Sequence, residues 1–448
     1  MNDFEQGNIH YMAKEYYEAS ECYKRFLEQE PHNYVVWHNL GIALCQLGRD
    51  EEALACFELP CQHNYAESWL SRGTALRNIG KYKEALITFA HTFALDPKHS
   101  TAYSNYGNTL REFGMPELAI PFLKIAQDLK PGDVNYELNE SISHLMKGDL
   151  LEGWKKYNAR WYYQSDVSFK PSIPGPEYDG SQDIVGKRVL VYYEQGFGDG
   201  IQFIRFAKVL KARGADVIIV TKPQLYDLFK YNFPDCEVIN AEEQLPPYHY
   251  HVALMDLPKC FNTTIDTIPY PTPYLDVSDE MKKSWQEKLG PKTKKRIGIL
   301  WSPNKVAFIS RFRKIPLKQL LAATNNECEF ISLSYEVDEK ALSLFRKFNI
   351  RTFHEDLSGF YNTAGLISQM DLVVSIDTVI PHLSAAMGIP TWVLLSDYGC
   401  DWRWFMNRND SPFYNCMKLY RQTGDGSWTS VLDQIKIDLA NEAKHQIL

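Results

Sequence analysis

Small and apolar positions recur along the first ~160 residues in a helical rhythm with a longer period laid over it. A small residue stands at Gly7, Gly41, Gly73 and Gly107, at spacings of 34, 32 and 34. Twelve positions after each comes Ala19, Ala53, Ala85 or Ala119, and sixteen after comes Tyr23, Phe57, Phe89 or Leu123. Twenty-four after stands Pro31, Tyr65, Pro97 or Pro131, and four before stands Trp37, Trp69 or Tyr103, with Asp3 in the first unit. Such a period predicts stacked helical hairpins: small residues let two helices approach, large ones fill the gap, and proline ends the second helix. Ser141, Gly153 and Tyr157 keep the phase in a degenerate fifth unit, expected to cap the array.

The rhythm then changes. Residues 162–187, with three prolines and four serines, read as a linker. Beyond them short β-rich runs alternate with amphipathic stretches. Strands are expected at 188–194, 216–221, 237–239 and 251–255, with helices over 201–213 and 224–231. A second set of strands is expected at 296–301, 329–333, 350–353, 372–376, 391–395 and 417–420. Between them fall helices at 317–323, 340–347, 361–370 and 381–387, with a last one after Trp428. Alternation of this kind predicts two parallel-sheet lobes whose ligands sit at the carboxyl ends of strands. The expected domains are 1–161 (helical array), 162–187 (linker), 188–290 (first lobe) and 291–448 (second lobe).

Composition narrows the chemistry. The 448 residues carry a formal charge of −8, and the longest basic run is Lys294-Lys295-Arg296, so no nucleic-acid partner is expected. Nine cysteines without C-x-x-C spacing argue for reduced thiols in a cytoplasm rather than a disulfide or zinc framework. The first residues lack a signal-peptide pattern, and no apolar run approaches the ~20 residues of a membrane span, so no membrane insertion is expected.

Two turns carry candidate chemistry. The first, Glu194 to Gly200, reads G-x-G-D at Gly196, Gly198 and Asp199, with Ile201 where a dinucleotide fingerprint needs glycine. Thr221-Lys222, at the end of the next strand, supplies no acid for a ribose, so a nicotinamide cofactor is disfavoured. The second turn, Asp377-Thr378-Val379-Ile380-Pro381-His382, runs from a buried strand into a helix of small residues. Thr378 or Asp377 caps that helix, its free N–H groups make an anion site, and His382 adds a donor; the bland alternative is a core histidine. The loop 302–315 brings Asn304, Lys305, Arg311, Arg313 and Lys314 to a strand's carboxyl end, where they could neutralise a diphosphate or simply be solvated. Arg313 is the foremost of these.

These segments resemble a family. YYEQGFGDGIQFIRFAKVLKARGADV (192–217), SIDTVIPHLSAAMGIPTWVLL (375–395), DWRWFMNRNDSPFYNCMKLYRQ (401–422) and the G-W-x-x-Y-x-x-R-W of Gly153 to Trp161 look like bacterial tetratricopeptide-repeat glycosyltransferases. Their catalytic half resembles heptosyltransferases and, more distantly, O-linked N-acetylglucosamine transferase. The resemblance implies a GT-B fold of two Rossmann-like lobes, a nucleotide-sugar bound mainly by the C-terminal lobe, an acceptor on the other, and no metal or cofactor. It puts a catalytic aspartate on Asp199 and donor diphosphate contacts on Asp377, Thr378 and His382. Gly200 and the Val379-Ile380-Pro381 turn depart from the family pattern and leave the sugar open. Trp402 either stacks on base or sugar or closes the core, and Arg421 at the last strand's end could reach the nucleotide.

The expected activity is transfer of a sugar to a Ser or Thr hydroxyl of a protein, flagellin-like by the same resemblance, with the repeats binding the acceptor. A lipopolysaccharide or other glycan acceptor, and a non-catalytic scaffold, stay open. So does homo-oligomerisation. Asp199 is the expected general base, with an N-cap role as its alternative and Glu194 next in line.

Overall fold

The computed structural model describes residues 2–163, 170–270, 273–302, 313–424 and 426–444. Their contacts divide them into two compact units, Met1–Lys147 and Gly148–Leu448.

The first unit is all helical. Its hairpins pair α1 (Asp3–Met12) with α2 (Tyr16–Gln29), and α3 (Tyr34–Gln46) with α4 (Asp50–Cys56) and α5 (Glu58–Gln62). They continue with α6 (Ala66–Asn78) on α7 (Tyr82–Leu95) and α8 (Ser100–Glu112) on α9 (Pro116–Leu129), with α10 (Val134–Lys147) packed on α9. The sixteen-residue spacing read from the sequence is itself a contact. A Cβ on Gly7, Gly41 or Gly73 would stand 2.6, 2.5 or 2.5 Å from the ring of Tyr23, Phe57 or Phe89, and one on Gly107 would stand 2.8 Å from Leu123. Those positions therefore exclude even alanine without a shift of buried side chains. The outer helix of the second hairpin breaks at Phe57, three residues before Pro60, which has no N–H for a continuing ladder.

The second unit holds two sheets. β1 (Arg188–Tyr192), β2 (Asp216–Thr221), β3 (Glu237–Asn240) and β4 (Tyr250–Ala253) form a parallel sheet in the order β3-β2-β1-β4. β5 (Arg296–Leu300), β6 (Glu329–Ser332), β7 (Arg351–Thr352), β8 (Leu372–Ile376), β9 (Thr391–Leu395), β10 (Asp410–Ser411) and β11 (Tyr414–Arg421) form the other. Its order is β10-β11-β9-β8-β5-β6-β7, parallel except for β10. β5 and β8 are fully buried and, apart from Arg296 and Ser375, apolar, as strands covered on both faces must be. The helices are α11 (Leu150–Lys156), α12 (Phe197–Phe203), α13 (Arg205–Ala212), α14 (Pro223–Asn232), α15 (Leu257–Cys260), α16 (Asp279–Leu289), α17 (Leu317–Ala322), α18 (Glu339–Phe348), α19 (Gly359–Ile367), α20 (Val379–Ala386) and α21 (Thr429–Lys444). The fold is thus a helical repeat array and a pair of Rossmann-like α/β lobes. Strand order reverses between β1 and β4 in one lobe and between β5 and β8 in the other. The crevices at those reversals are where ligands of such sheets bind. β1 and β8 run into the two turns singled out above.

Several boundaries differ from expectation. Residues 148–161 belong to the second unit, not to the helical array, because their large side chains are buried there. Trp154 stands edge-on to Phe203 and Trp402, at ring separations of 5.9 and 5.2 Å. The stretch 170–187 is less a linker than a strap: Tyr178 N–H donates to the His251 carbonyl, His251 N–H to that of Pro176, and Tyr178 and Ile184 are buried. The helix expected over 201–213 begins at Phe197 and breaks at Ile204. There the Gln202 carbonyl accepts from Nε of the buried Arg205. α16 and β10 were not expected at all. Among the described residues no helix is long and apolar enough to cross a membrane.

Candidate functional site

The turn after β1 and the turn after β8 meet. α12 packs on α20, and a Cβ on Gly198 would lie 3.0 Å from Cδ2 of His382. Glycine at 198 therefore serves a close approach between the lobes. Gly196 is exposed and caps α12, its N–H donating to Asp199 Oδ2 at 2.8 Å. Asp199 occupies the third helical position rather than the N-cap expected of its structural role, and it closes the first turn from there.

Its other oxygen, Oδ1, accepts from Nη2 of Arg403 in the second lobe. Arg403 also donates from Nη1 to Asp401 Oδ1 and from Nε to Gln202 Oε1, each at 2.8 Å. Beside this trio, Arg313 Nη1 stands 3.1 Å from Asp377 Oδ2, and Arg313 Nε is buried without a hydrogen-bond partner among the described residues. Burial raises the Asp199 carboxyl above its ordinary value against the opposing pull of Arg403. Asp377 is raised by burial against the pull of Arg313. Burial also works on Asp401, but Arg403 and Arg313 outweigh it and hold that carboxyl low. Three carboxylates and two guanidiniums thus share a small, mostly buried volume.

Thr378 caps α20, its Oγ1 accepting from Ile380 N–H at 3.4 Å, while Asp377 is taken by Arg313. Pro381 brings no N–H, so the turn exposes fewer donors than the four of an uncapped terminus. His382 is buried, stacked on Trp404 at 5.1 Å and 25°, with Nδ1 3.0 Å from the Tyr414 hydroxyl. Burial, assisted by Arg403, pushes its pKa down to about 3, so it enters the site as a neutral ring and not as a cation.

Other expected residues are used differently. Trp402 takes the second of its two expected roles and closes the core, buried against Trp154, Phe203 and Phe413. Arg421 is spent on its own lobe, donating to the carbonyls of Trp404 (2.6 Å), Phe405 (2.9 Å) and Arg408 (3.3 Å). Glu194 is no spare base, since both oxygens accept from Arg160 (2.7 and 2.8 Å), which also holds Asp256 at 2.8 Å. Lys305 and Arg311, with Asn304, lie outside the described residues. Sequence reasoning missed Asp401 and Gln202. The signal for Asp401 was present, an acid two positions before an arginine in the loop after β9. Gln202 carries no local mark.

A cavity of about 590 Å³ opens in the first lobe beside the Asp199 turn. Trp161, Tyr192, Tyr193, Glu194, Gln195 and Lys222 are among the residues that line it, mostly at the carboxyl ends of β1 and β2. Lys222 Nζ donates to the Gln195 carbonyl at 2.7 Å and lies 4.8 Å from the Tyr193 ring centroid. Gln195 itself has a φ of 60°, a strained value for a side chain with a Cβ.

Known proteins resemble parts of the chain. Models of the tetratricopeptide repeat match residues 22–55 and 70–134. Protein FlbA of Caulobacter vibrioides is 23% identical over 459 aligned positions, which cover 95% of this chain and 76% of FlbA. Among solved structures, MamA from Desulfovibrio magneticus RS-1 is 22% identical with a TM-score of 0.33, over 36% of this chain and 94% of MamA. A family 9 glycosyl transferase from Veillonella parvula is 12% identical with a TM-score of 0.43, over 58% of this chain and 98% of that one. The helical hairpins of the first unit are tetratricopeptide repeats.

Proposed function

We propose that the chain is a glycosyltransferase that moves a sugar from a nucleotide-sugar to a Ser or Thr hydroxyl of a protein acceptor, flagellin-like, recruited by the repeats. The observation that carries this reading is the meeting of the Asp199 turn and the Asp377–His382 turn at the strand-order reversals of two sheets. The donor diphosphate lies against the first turn of α20 with Arg313 beside it, and the acceptor approaches from the cavity in the first lobe. The acceptor oxygen forms a bond to the sugar's anomeric carbon as the bond from that carbon to the diphosphate oxygen breaks. The hydroxyl proton passes to Asp199, and the electron pair leaves on the nucleoside diphosphate, whose charge Arg313 and the helix terminus stabilise. The nine cysteines, none of them in a disulfide, suit a cytoplasmic setting. The test is incubation of the purified chain with candidate nucleotide-sugars and protein acceptor, read as a mass increment of one sugar on the acceptor.

A non-catalytic scaffold has one observation in its favour, since Asp199 closes a helix turn and pairs with Arg403 without need of a reaction. Turnover separates the two.

A further inference from the structure

Arg403 is held by acceptors on every side. Its side chain is 8% exposed, and its guanidinium carbon sits 4.3 Å from the Trp402 ring centroid. Gln202 and Asp199 reach it from the first lobe, and Asp401 from its own loop in the second. One guanidinium is therefore shared between a carboxylate of each lobe. Both oxygens of Asp199 are engaged, one by Gly196 N–H and one by Arg403. A carboxylate so tied is hindered as a base, because each oxygen already accepts a hydrogen bond and the adjacent cation opposes the rise that burial gives it. Among the described residues the cluster has one more carboxylate than guanidinium, and Arg313 Nε faces no acceptor. The side chains of Arg313 and Asp401 are 24% and 27% exposed, so solvent and ligand reach the cluster on that side.

We propose that Arg403 is a positioning residue that exchanges partners. In the arrangement above it holds Asp199. When a diphosphate arrives beside Arg313, Arg403 pivots on its Asp401 bond and gives its free edge to phosphate oxygens, whose charge and geometry suit a guanidinium fork. Asp199 is then released to accept a proton only while donor is bound. The inference rests on the transferase reading of this site and adds its regulation.

The experiment is calorimetric titration of inorganic pyrophosphate into the full chain and three variants: Asp199→Asn, Arg403→Gln and the double variant. Competition for one guanidinium predicts that Asp199→Asn binds pyrophosphate about tenfold more tightly than the parent, the scale of one charge-assisted hydrogen bond regained. Arg403→Gln binds about tenfold more weakly, and the double variant matches Arg403→Gln, since Asp199 has nothing left to compete for. Loss of the Asp199 charge alone also tightens anion binding, but it does so in the Arg403→Gln background as well, so a double variant that binds more tightly than Arg403→Gln overturns exchange. Should Arg403→Gln fail to fold, Arg403→Lys, which keeps the charge and loses the fork, falls between parent and Gln. Unchanged or weaker binding by Asp199→Asn, with the parent binding normally, overturns the exchange and leaves the transferase reading intact. No pyrophosphate binding by the parent overturns both.

Discussion

Replacing Arg160 with methionine leaves Glu194 and Asp256 facing each other without the guanidinium between them. Arg160 is 2% exposed in its side chain and Glu194 6%, so the loss is that of a buried pair broken on one side. Such a loss costs about 3–5 kcal/mol, a large part of the ~5–15 kcal/mol that holds a typical domain folded. Methionine keeps most of the apolar stem, so packing contributes little to the deficit. The loss depends on pH. Burial already raises the Glu194 carboxyl against the pull of Arg160, and without Arg160 it rises further. An acid whose folded pKa exceeds its unfolded value binds more protons when folded, so stability falls as pH rises through the folded pKa. The deficit of Arg160→Met is therefore larger at pH 8 than at pH 5. Adding Glu194→Gln, which removes the stranded charge, recovers at least about 1 kcal/mol. Urea denaturation at both pH values, followed by near-ultraviolet circular dichroism, measures all three proteins. A deficit below about 1 kcal/mol for Arg160→Met at both pH values would refute the reasoning.

Other outcomes follow from the same geometry. His382→Ala, checked for folding because it loses the Trp404 stack, weakens nucleotide binding by about 1–3 kcal/mol, and calorimetry showing no change removes His382 from the donor site. Gly198→Ala gains about 1 kcal/mol of helix propensity but presses a methyl on a ring pinned by Trp404 and Tyr414, a cost of about 1–3 kcal/mol, so its melting point falls. Transfer persists in EDTA, because fixed guanidinium charge faces the diphosphate; loss in EDTA and recovery with Mg²⁺ would contradict this. A chain starting near residue 148 folds and binds donor but fails on protein acceptors, whereas one starting near 162 is destabilised by the missing Arg160.

Local rules were legible and non-local pairings were not. The glycine-to-aromatic spacing of the repeats is a contact within one hairpin, so periodicity exposed it. The turns at Asp199 and Asp377 follow strands whose apolar runs are visible, so their placement at the carboxyl edges could be read. That Arg403 pairs with Asp199, or Arg160 with Glu194, could not be, because the partners stand 204 and 34 positions apart. Arg421 had the position of a ligand contact and Trp402 left two roles open, and only packing reveals that the first ties down a loop and the second fills the core. α16 carries little apolar pattern, because its exposed face is highly charged and only Trp285 and Leu289 are buried in it. The boundary at 161 followed the repeat phase of Gly153 and Tyr157, yet the large side chains there are buried in the α/β unit.

The central claim, that the crevice between the two lobes binds a nucleotide-sugar, is tested most directly by a thermal-shift panel of nucleoside diphosphates and their sugar conjugates on the full chain. A ligand at a hundred times its Kd stabilises the folded state by about 2.7 kcal/mol, enough to move the melting point by several degrees. The account predicts such a shift for at least one nucleotide-sugar, reduced in Arg313→Gln and in His382→Ala. A panel in which no nucleotide or nucleotide-sugar raises the melting point of the parent would contradict it.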